Sequence, residues 1–318
     1  MPAAGCGQLT SRGGASDRPR RPAYDGYFAD PFVLRHDDRY FAYGTNNEVA
    51  STRAFEILES TDLEHWRLVG RALDAVDGLD ARDHWAPEVA FSDGRFYMYF
   101  SAGVDDRDHK LRVAVADAPQ GPFRYHGRVL TPHELFAIDA SPFRDDDGSW
   151  YIFYARDVLE GERVGTSLAV DRLVDMESLA GQPVPVLAAS SDWQIFKRGR
   201  EMYGRIFDWH TLEGPHVVKR LGRYWCFYSG GAWTGTGYGA SWAVADSPLG
   251  PWTEAAGGGP ALLRTIPGDL EGPGHNSIVV GPDGFDRIVY HAWDAAHTAR
   301  RMYIDRLDWT AEGPRLVE

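Results

Sequence analysis

The chain has 318 residues, 43% hydrophobic and 13% aromatic, with 35 glycines and 19 prolines, and its 33 Lys and Arg against 46 Asp and Glu give a net charge of −13. That length and apolar content suit one large core made of many short strands and tight turns. The acidic balance disfavours nucleic acid, no window approaches the roughly 18 consecutive apolar residues of a membrane span, and two cysteines make no disulfide framework.

The first 24 residues, MPAAGCGQLTSRGGASDRPRRPAY, are rich in Gly, Pro and Arg, with four Arg against one Asp. They read as a disordered extension, and without the apolar segment of an export signal the expected compartment is the cytoplasm. The remainder then carries net −16, which repels phosphate and leaves Arg18, Arg20 and Arg21 without a nucleic-acid partner. Residues 25–318 read as one domain. Cys6 lies in the extension, and Cys226 falls in the strand signal YWCFY, where a small buried hydrophobe is expected.

Along that domain a short aromatic strand signal recurs five times: DDRYFAYGT from Asp37, DGRFYMYFSAG from Asp93, DGSWYIFYARD from Asp147, LGRYWCFYSGG from Leu221 and DGFDRIVYHAWD from Asp283. Each couples a tight turn to an alternating, aromatic-rich run suited to a half-buried pleated surface. With Arg39, Arg95, Ser149, Arg223 and Arg287 as equivalent positions, the spacings are 56, 54, 74 and 64 residues. Repeats of this length, with two or more strands each, predict an all-β, five-bladed β-propeller. Thr166 to Leu179 suits either a helical turn or a strand. The loops from Asp105 to Lys110 and from Asp192 to Arg205 show no regular pattern.

Ahead of each strand signal stands a motif with a carboxylate or, once, a histidine: FADPFVLR around Asp30, HWAPEVAF around Glu88, AIDASPFR around Asp139, LEGPHVVK around Glu213 and GPGHNSIV around His275. The innermost strands of a propeller converge on its axis, so these groups are expected in one acidic funnel. Glycoside hydrolysis needs two such carboxyls, one protonated and one ionised, and crowding acids in a partly dry cavity raises the pKa of one of them. Tyr27, Phe28, Trp85, Trp209 and Trp233 stand near the motif acids and offer flat faces to a sugar ring. No histidine pair has metalloenzyme spacing, so zinc chemistry is not expected. Trp66 and Trp252 sit in outer-strand contexts and are expected to pack between blades.

The ordered series ADP (Ala29 to Pro31), WAPE (Trp85 to Glu88), IDASPF (Ile138 to Phe143), EGP (Glu213 to Pro215) and GHN (Gly274 to Asn276) resembles glycoside hydrolase family 43, from about Tyr27 to the end of the chain. Each triplet alone is a weak signal, whereas five in order, one blade apart, are specific. The resemblance implies an inverting α-L-arabinofuranosidase, arabinanase or β-xylosidase acting on oligosaccharide. It implies Asp30 as general base, Glu213 as general acid, Asp139 as the carboxylate that orients Glu213 and keeps its pKa raised, and a structural or hydrogen-bonding role for Glu88. No cofactor is required for the chemistry, and His275 corresponds to an axial histidine near a bound calcium or sodium ion. Arg300 or Arg301 in TARRMYIDRL is expected to reach the site from the last blade, and Arg301 is the candidate.

No β-sandwich follows RLDWTAEG and no tandem carbohydrate-binding module is present, which favours exo-acting arabinofuranosidase activity on short oligosaccharides over β-xylosidase. Two competing readings are a retaining fructoside enzyme, which the missing Asn-Asp-Pro-Asn form disfavours, and a non-catalytic sugar-binding propeller, which the three intact carboxylates disfavour.

Overall fold

A computed structural model of the chain describes residues 20–46, 53–74 and 83–317, and apart from one short 3-10 turn every element in them is a strand. Strands β1 (Ala29–His36), β2 (Arg39–Thr45), β3 (Arg53–Ser60) and β4 (Arg67–Asp74) form an antiparallel sheet in chain order. So do β5 (Asp83–Ser92), β6 (Arg95–Val104), β7 (Arg107–Ala116) and β8 (Arg124–Val129). A ten-stranded sheet comes next. It holds the meander β9 (Ala137–Arg144), β10 (Trp150–Val158), β11 (Gly165–Asp175), with β12 (Ser178–Leu179) and β13 (Val184–Leu187) on its edge. It also holds the hairpin strand β14 (Ile195–Met202) and the meander β15 (Arg205–Arg220), β16 (Arg223–Gly230), β17 (Gly239–Ala245), β18 (Thr253–Glu254). The last sheet is β19 (Glu271–Val280), β20 (Asp286–Trp293), β21 (Arg300–Thr310) and β22 (Gly313–Leu316).

The turns form for the reason the sequence suggests. Asp93 and Gly94 both have positive φ, as do Leu221 and Gly222, the backbone that a two-residue type I′ hairpin demands. The segment from Thr166 onward is strand, not helix. The two meanders of the large sheet join where Gly165 and Thr166 pair in parallel with His210 and Thr211. A Cβ on Gly165 would lie 1.9 Å from the His210 carbonyl oxygen, so only glycine permits that join.

The first strands of the meanders, β1, β5, β9, β15 and β19, are neighbours in a closed cycle, with β19 beside β1. The apolar core is divided in the same way. One cluster packs Phe41 and Ile57 against Met98 and Phe100, the next Tyr99 and Val113 against Ile152 and Tyr154, the next Phe153 and Leu168 against Val217 and Cys226. A fourth sets Trp225 and Phe227 against Ile288 and Tyr290, and a fifth sets Tyr40 and Leu58 against Val289 and Met302, returning to the first sheet. Cys226 is the small buried hydrophobe expected of it. Trp66 and Trp252 flank these clusters, in keeping with packing roles.

The N-terminal segment contributes to the closure. Residues 1–19 lie outside the described residues, but the expected extension to residue 24 is too long, because residues 20–24 are fixed on the last sheet. The Ala23 N–H donates to the Met302 carbonyl at 2.8 Å, Tyr24 bridges to Met302, and Arg20 makes an ion pair with Asp305 at 2.7 Å. Phe28 completes the seam, its N–H on the Arg300 carbonyl at 2.9 Å and its ring in the core among Val33, Tyr40 and Met302. It is therefore no sugar platform, since its ring is 1% exposed. Its truncation reports on stability: Phe28→Ala is expected to lower the unfolding free energy by about 3–5 kcal/mol. Denaturant melts check this, and a loss below about 1 kcal/mol would contradict the packing described.

Candidate active site

Each first strand carries the same irregularity at the same place. Against its partner, two residues face one at Asp30-Pro31, Ala86-Pro87, Asp139-Ala140, Gly214-Pro215 and His275-Asn276. These are β-bulges, and the first residue of each has positive φ: 50° at Asp30, 47° at Ala86, 61° at Asp139, 56° at Gly214 and 48° at His275. For the four non-glycine residues that backbone costs about 1 kcal/mol apiece and aims the side chain out of the regular pleat.

The bulges correct one expectation. Glu88 and Glu213 do not occupy the place of Asp30. Glu213 stands one residue before its bulge, where the second sheet has Trp85, and Glu88 stands beyond its own, level with Ser141 and His216. Ser141 Oγ donates to Glu88 Oε2 at 2.8 Å, and His216 Nδ1 lies 3.3 Å from Glu88 Oε1 and 3.5 Å from Ser141 Oγ. Both contacts fall on one imidazole nitrogen, so this cluster cannot relay a proton through the ring; it is a polar layer next to the site, and Glu88 has the hydrogen-bonding role expected of it.

Freed backbone N–H groups at the bulges are met from neighbouring strands. Ala86 N–H donates to Thr45 Oγ1 at 2.9 Å, Asp139 N–H to Ser101 Oγ at 3.1 Å, His275 N–H to Ser229 Oγ at 2.7 Å, and Asp30 N–H to His291 Nδ1 at 3.0 Å. On β10, Ala155 offers no such acceptor, and Gly214 N–H donates instead to Asp139 Oδ2 at 2.9 Å. Asp139 is thereby tied to the residue next to Glu213.

Three carboxyls meet here in different electrostatic surroundings. Burial pushes the Asp30 carboxyl up, but Arg300 at 3.2 Å, His275 at 3.4 Å and His291 outweigh it and hold Asp30 well below the ordinary carboxylate range. Burial, the Glu213 carboxyl and the Asp30 charge push Asp139 well above that range, against the pull of the Gly214 N–H. Glu213 is raised to about 7, chiefly by burial; the Asp30 charge adds to this, while the Tyr238 hydroxyl, donating to Oε1 at 2.6 Å, and Arg300 pull the other way. Near neutral pH the site therefore holds one firm carboxylate, Asp30, beside a pair that retains a proton. His291, wholly buried and lowered to about 4 by that burial, stays a neutral ring.

Not every expected substrate contact is in the site. Arg300, not Arg301, reaches it: Arg300 bonds Asp30 and the Tyr27 hydroxyl and lies over the Trp233 ring at 4.5 Å, whereas Arg301 pairs with Asp294 at 3.1 Å. Strand alternation decides between them, because Arg300 shares a face with the buried Met302. Trp209, 1% exposed, packs in a small cluster with Met202 and Phe207 and is not a platform. Trp233 is engaged by Arg300 and by Trp293, so its ring does not stand free. Trp85, half-buried and stacked at 3.7 Å on the buried His109, remains the aromatic with a firm backing beside a bulge. Sequence reasoning does not single out Tyr238, and it counts His291 only among the histidines near the motifs that lack metalloenzyme spacing. His291 follows the recurrent tyrosine of its strand signal, as Ser229 does, and that register was the clue.

Calcium takes six to eight oxygen ligands. His275 offers a ring whose Nδ1 faces Asp30 and lies 4.0 Å from Asp139, and among the described residues no three His, Cys, Asp or Glu side chains are arranged to hold a metal. A calcium bound directly by protein does not fit that set, and a cation there would be held chiefly by water.

A trio of largely enclosed carboxyls, one held ionised and another held protonated, is the equipment of a glycosidase. The chain belongs to glycosyl hydrolases family 43, whose model matches residues 19–314. It is 28% identical to a β-D-galactofuranosidase of Aspergillus niger, over 92% of this chain and 82% of that protein. It is also 28% identical to an extracellular exo-α-(1→5)-L-arabinofuranosidase of Streptomyces chartreusis, over 91% of this chain and 89% of that one. Among solved structures, a thermostable family-43 glycoside hydrolase superposes with a TM-score of 0.79 at 35% identity, covering 92% of this chain and 93% of its own.

The raised pKa of Glu213 has a consequence for stability. Its folded value lies above its unfolded one, so its contribution is complete below about pH 4.5 and is lost as pH rises through about 7. Glu213→Gln removes that dependence and is expected to gain on the wild type by up to about 3 kcal/mol between about pH 4 and pH 8. Paired denaturant melts at the two pH values test it, and an unchanged difference would refute the assignment.

Proposed function

We propose that this glycosidase is an exo-acting, inverting α-L-arabinofuranosidase for arabinan- or arabinoxylan-derived oligosaccharides, built as a five-bladed propeller. The ten-stranded sheet then counts as two blades, a division supported by the cycle of first strands and the five inter-sheet core clusters. Asp30 is the general base: it takes a proton from the water that attacks the anomeric carbon. Glu213 is the general acid: it gives its proton to the departing glycosidic oxygen as that bond breaks. Asp139, tied to the Gly214 N–H beside Glu213, orients the acid, and Trp85 supplies a face to the sugar. An inverting pair stands roughly 6.5–9.5 Å apart so that water fits between base and sugar.

The observation that carries this reading is the opposite bias of Asp30 and Glu213, one held ionised by Arg300 and the other raised by burial. The preference for a furanoside draws on the two relatives named above, both furanosidases by name. A β-xylosidase or endo-arabinanase would use the same carboxyls, and a sugar-binding propeller would use none of them.

Initial rates on 4-nitrophenyl α-L-arabinofuranoside, β-D-xyloside and β-D-galactofuranoside, with Asp30→Asn and Glu213→Gln alongside, decide among these. The arabinofuranoside is expected to be cleaved fastest, and each variant to lose at least about a hundredfold. A faster xyloside or galactofuranoside replaces the specificity, and variants as active as the wild type would overturn the site. Proton NMR of the first-formed arabinose should show the anomer opposite to that of the substrate.

A further inference from the structure

The loop between β16 and β17 carries two residues that act on the two proposed catalytic carboxyls from opposite sides. Trp233 lies under the Arg300 guanidinium at 4.5 Å, and Arg300 in turn holds Asp30. Tyr238, five positions later, donates to Glu213 and stacks on His291 with the planes 3° apart. The intervening sequence, Thr-Gly-Thr-Gly, has little side chain with which to hold itself in place.

The Thr265 hydroxyl donates to the Thr236 carbonyl at 2.7 Å, and the other support comes from the last sheet. Trp293, at the end of β20, stacks on Trp233 with the planes 12° apart and donates its indole N–H to the Trp233 carbonyl at 2.8 Å. His297 stacks against Trp293 at 4.3 Å, and its Nε2 lies 3.2 Å from the Thr234 carbonyl oxygen. Gly272 of β19 closes the contact, since a Cβ there would lie 2.7 Å from the Gly235 carbonyl oxygen. Trp293 and His297 act on the loop, through the Trp233 ring and the Trp233 and Thr234 carbonyls.

We infer that Trp293, buttressed by His297, is a positioning residue that fixes the Gly231–Tyr238 loop and through it sets the charge states of base and acid together. This rests on the assignment of Asp30 and Glu213 as base and acid. Loosening the loop withdraws two favourable contacts to carboxylates. Asp30 loses a well-seated Arg300, and Glu213 loses the Tyr238 hydroxyl, so both groups become harder to ionise. Base and acid would shift in the same direction, which a simple loss of packing would not produce.

The test is the pH dependence of kcat/KM on whichever 4-nitrophenyl glycoside the wild type cleaves. Trp293→Leu is expected to lower kcat/KM about tenfold or more and to displace both the acid and the alkaline limb upward by about half a pH unit. Trp293→Phe, which keeps a flat ring, should recover most of both effects, and His297→Ala should move both limbs the same way by less. Limbs that stay at their wild-type positions in a folded variant, or a displacement of one limb alone, would overturn the inference. If Trp293→Leu does not fold, the exposed His297→Ala decides by the same two limbs. Asp30→Asn and Glu213→Gln run in parallel separate the failures: if they remain active the acid–base assignment falls, and if they are inactive while the limbs stay fixed only the loop inference falls.

Discussion

Everything at the site depends on one backbone feature, a bulge with a left-handed first residue repeated at five equivalent places. A regular strand would alternate its side chains between the two faces of its sheet and send none toward the axis. The extra residue breaks that alternation where the strand passes the centre, and the released N–H is met from a neighbouring strand by a hydroxyl, a ring nitrogen or, at Gly214, the Asp139 carboxylate. Two strained positions out of five carry the acids Asp30 and Asp139, a third carries His275, and the strain is sustained because each surrounding sheet is packed on both sides. Strain at a functional site is stored only where the rest of the fold overdetermines it.

The electrostatic arrangement follows from this geometry. With Asp30 and Asp139 buried and Glu213 half-buried beside them, three full charges would repel one another in a poorly screened space. The protein relieves this by giving one carboxyl a cation and letting the other two hold a proton between them. Arg300 is the asymmetric element: it reaches the site from the last strand and selects Asp30 for ionisation. Asp139, bound to the N–H beside Glu213, links the third and fourth meanders at the point where Ala155 provides no acceptor of its own.

Much of this was legible in the sequence. The all-β class, the repeat and the identities of Asp30, Asp139 and Glu213 all came from strand signals and ordered triplets, because turn chemistry and aromatic alternation are local properties. What was not legible depended on register. A bulge inserts one residue without leaving a compositional mark, so Glu88 and Glu213 looked equivalent to Asp30 when they flank that position. Phe28 and Trp209 looked like sugar platforms because nearness in sequence to an acid says nothing about which face a ring takes. Arg300 and Arg301 differ only in strand parity, which Met302 could have resolved. Of the two segments that show no pattern, the one from Asp192 to Arg205 is largely the strand β14, and its Arg200 forms an ion pair with Asp106 of the other, a long-range contact that neither segment encodes alone.

The five bulges are alike in backbone and unlike in what they carry, and the smallest of them matter as much as the acids. Ala86 presents a methyl group, and Gly214 presents nothing, since a Cβ there would press on the His275 ring at 3.1 Å. A near-symmetric scaffold is thus made uneven by omission: the bare positions Ala86 and Gly214 stand between Asp30, Asp139 and His275 around the ring and leave room there. A sugar ring has no symmetry of its own, and an uneven set of positions around it distinguishes one orientation from another. Residues with no chemistry to perform would then decide which way round the sugar lies between base and acid.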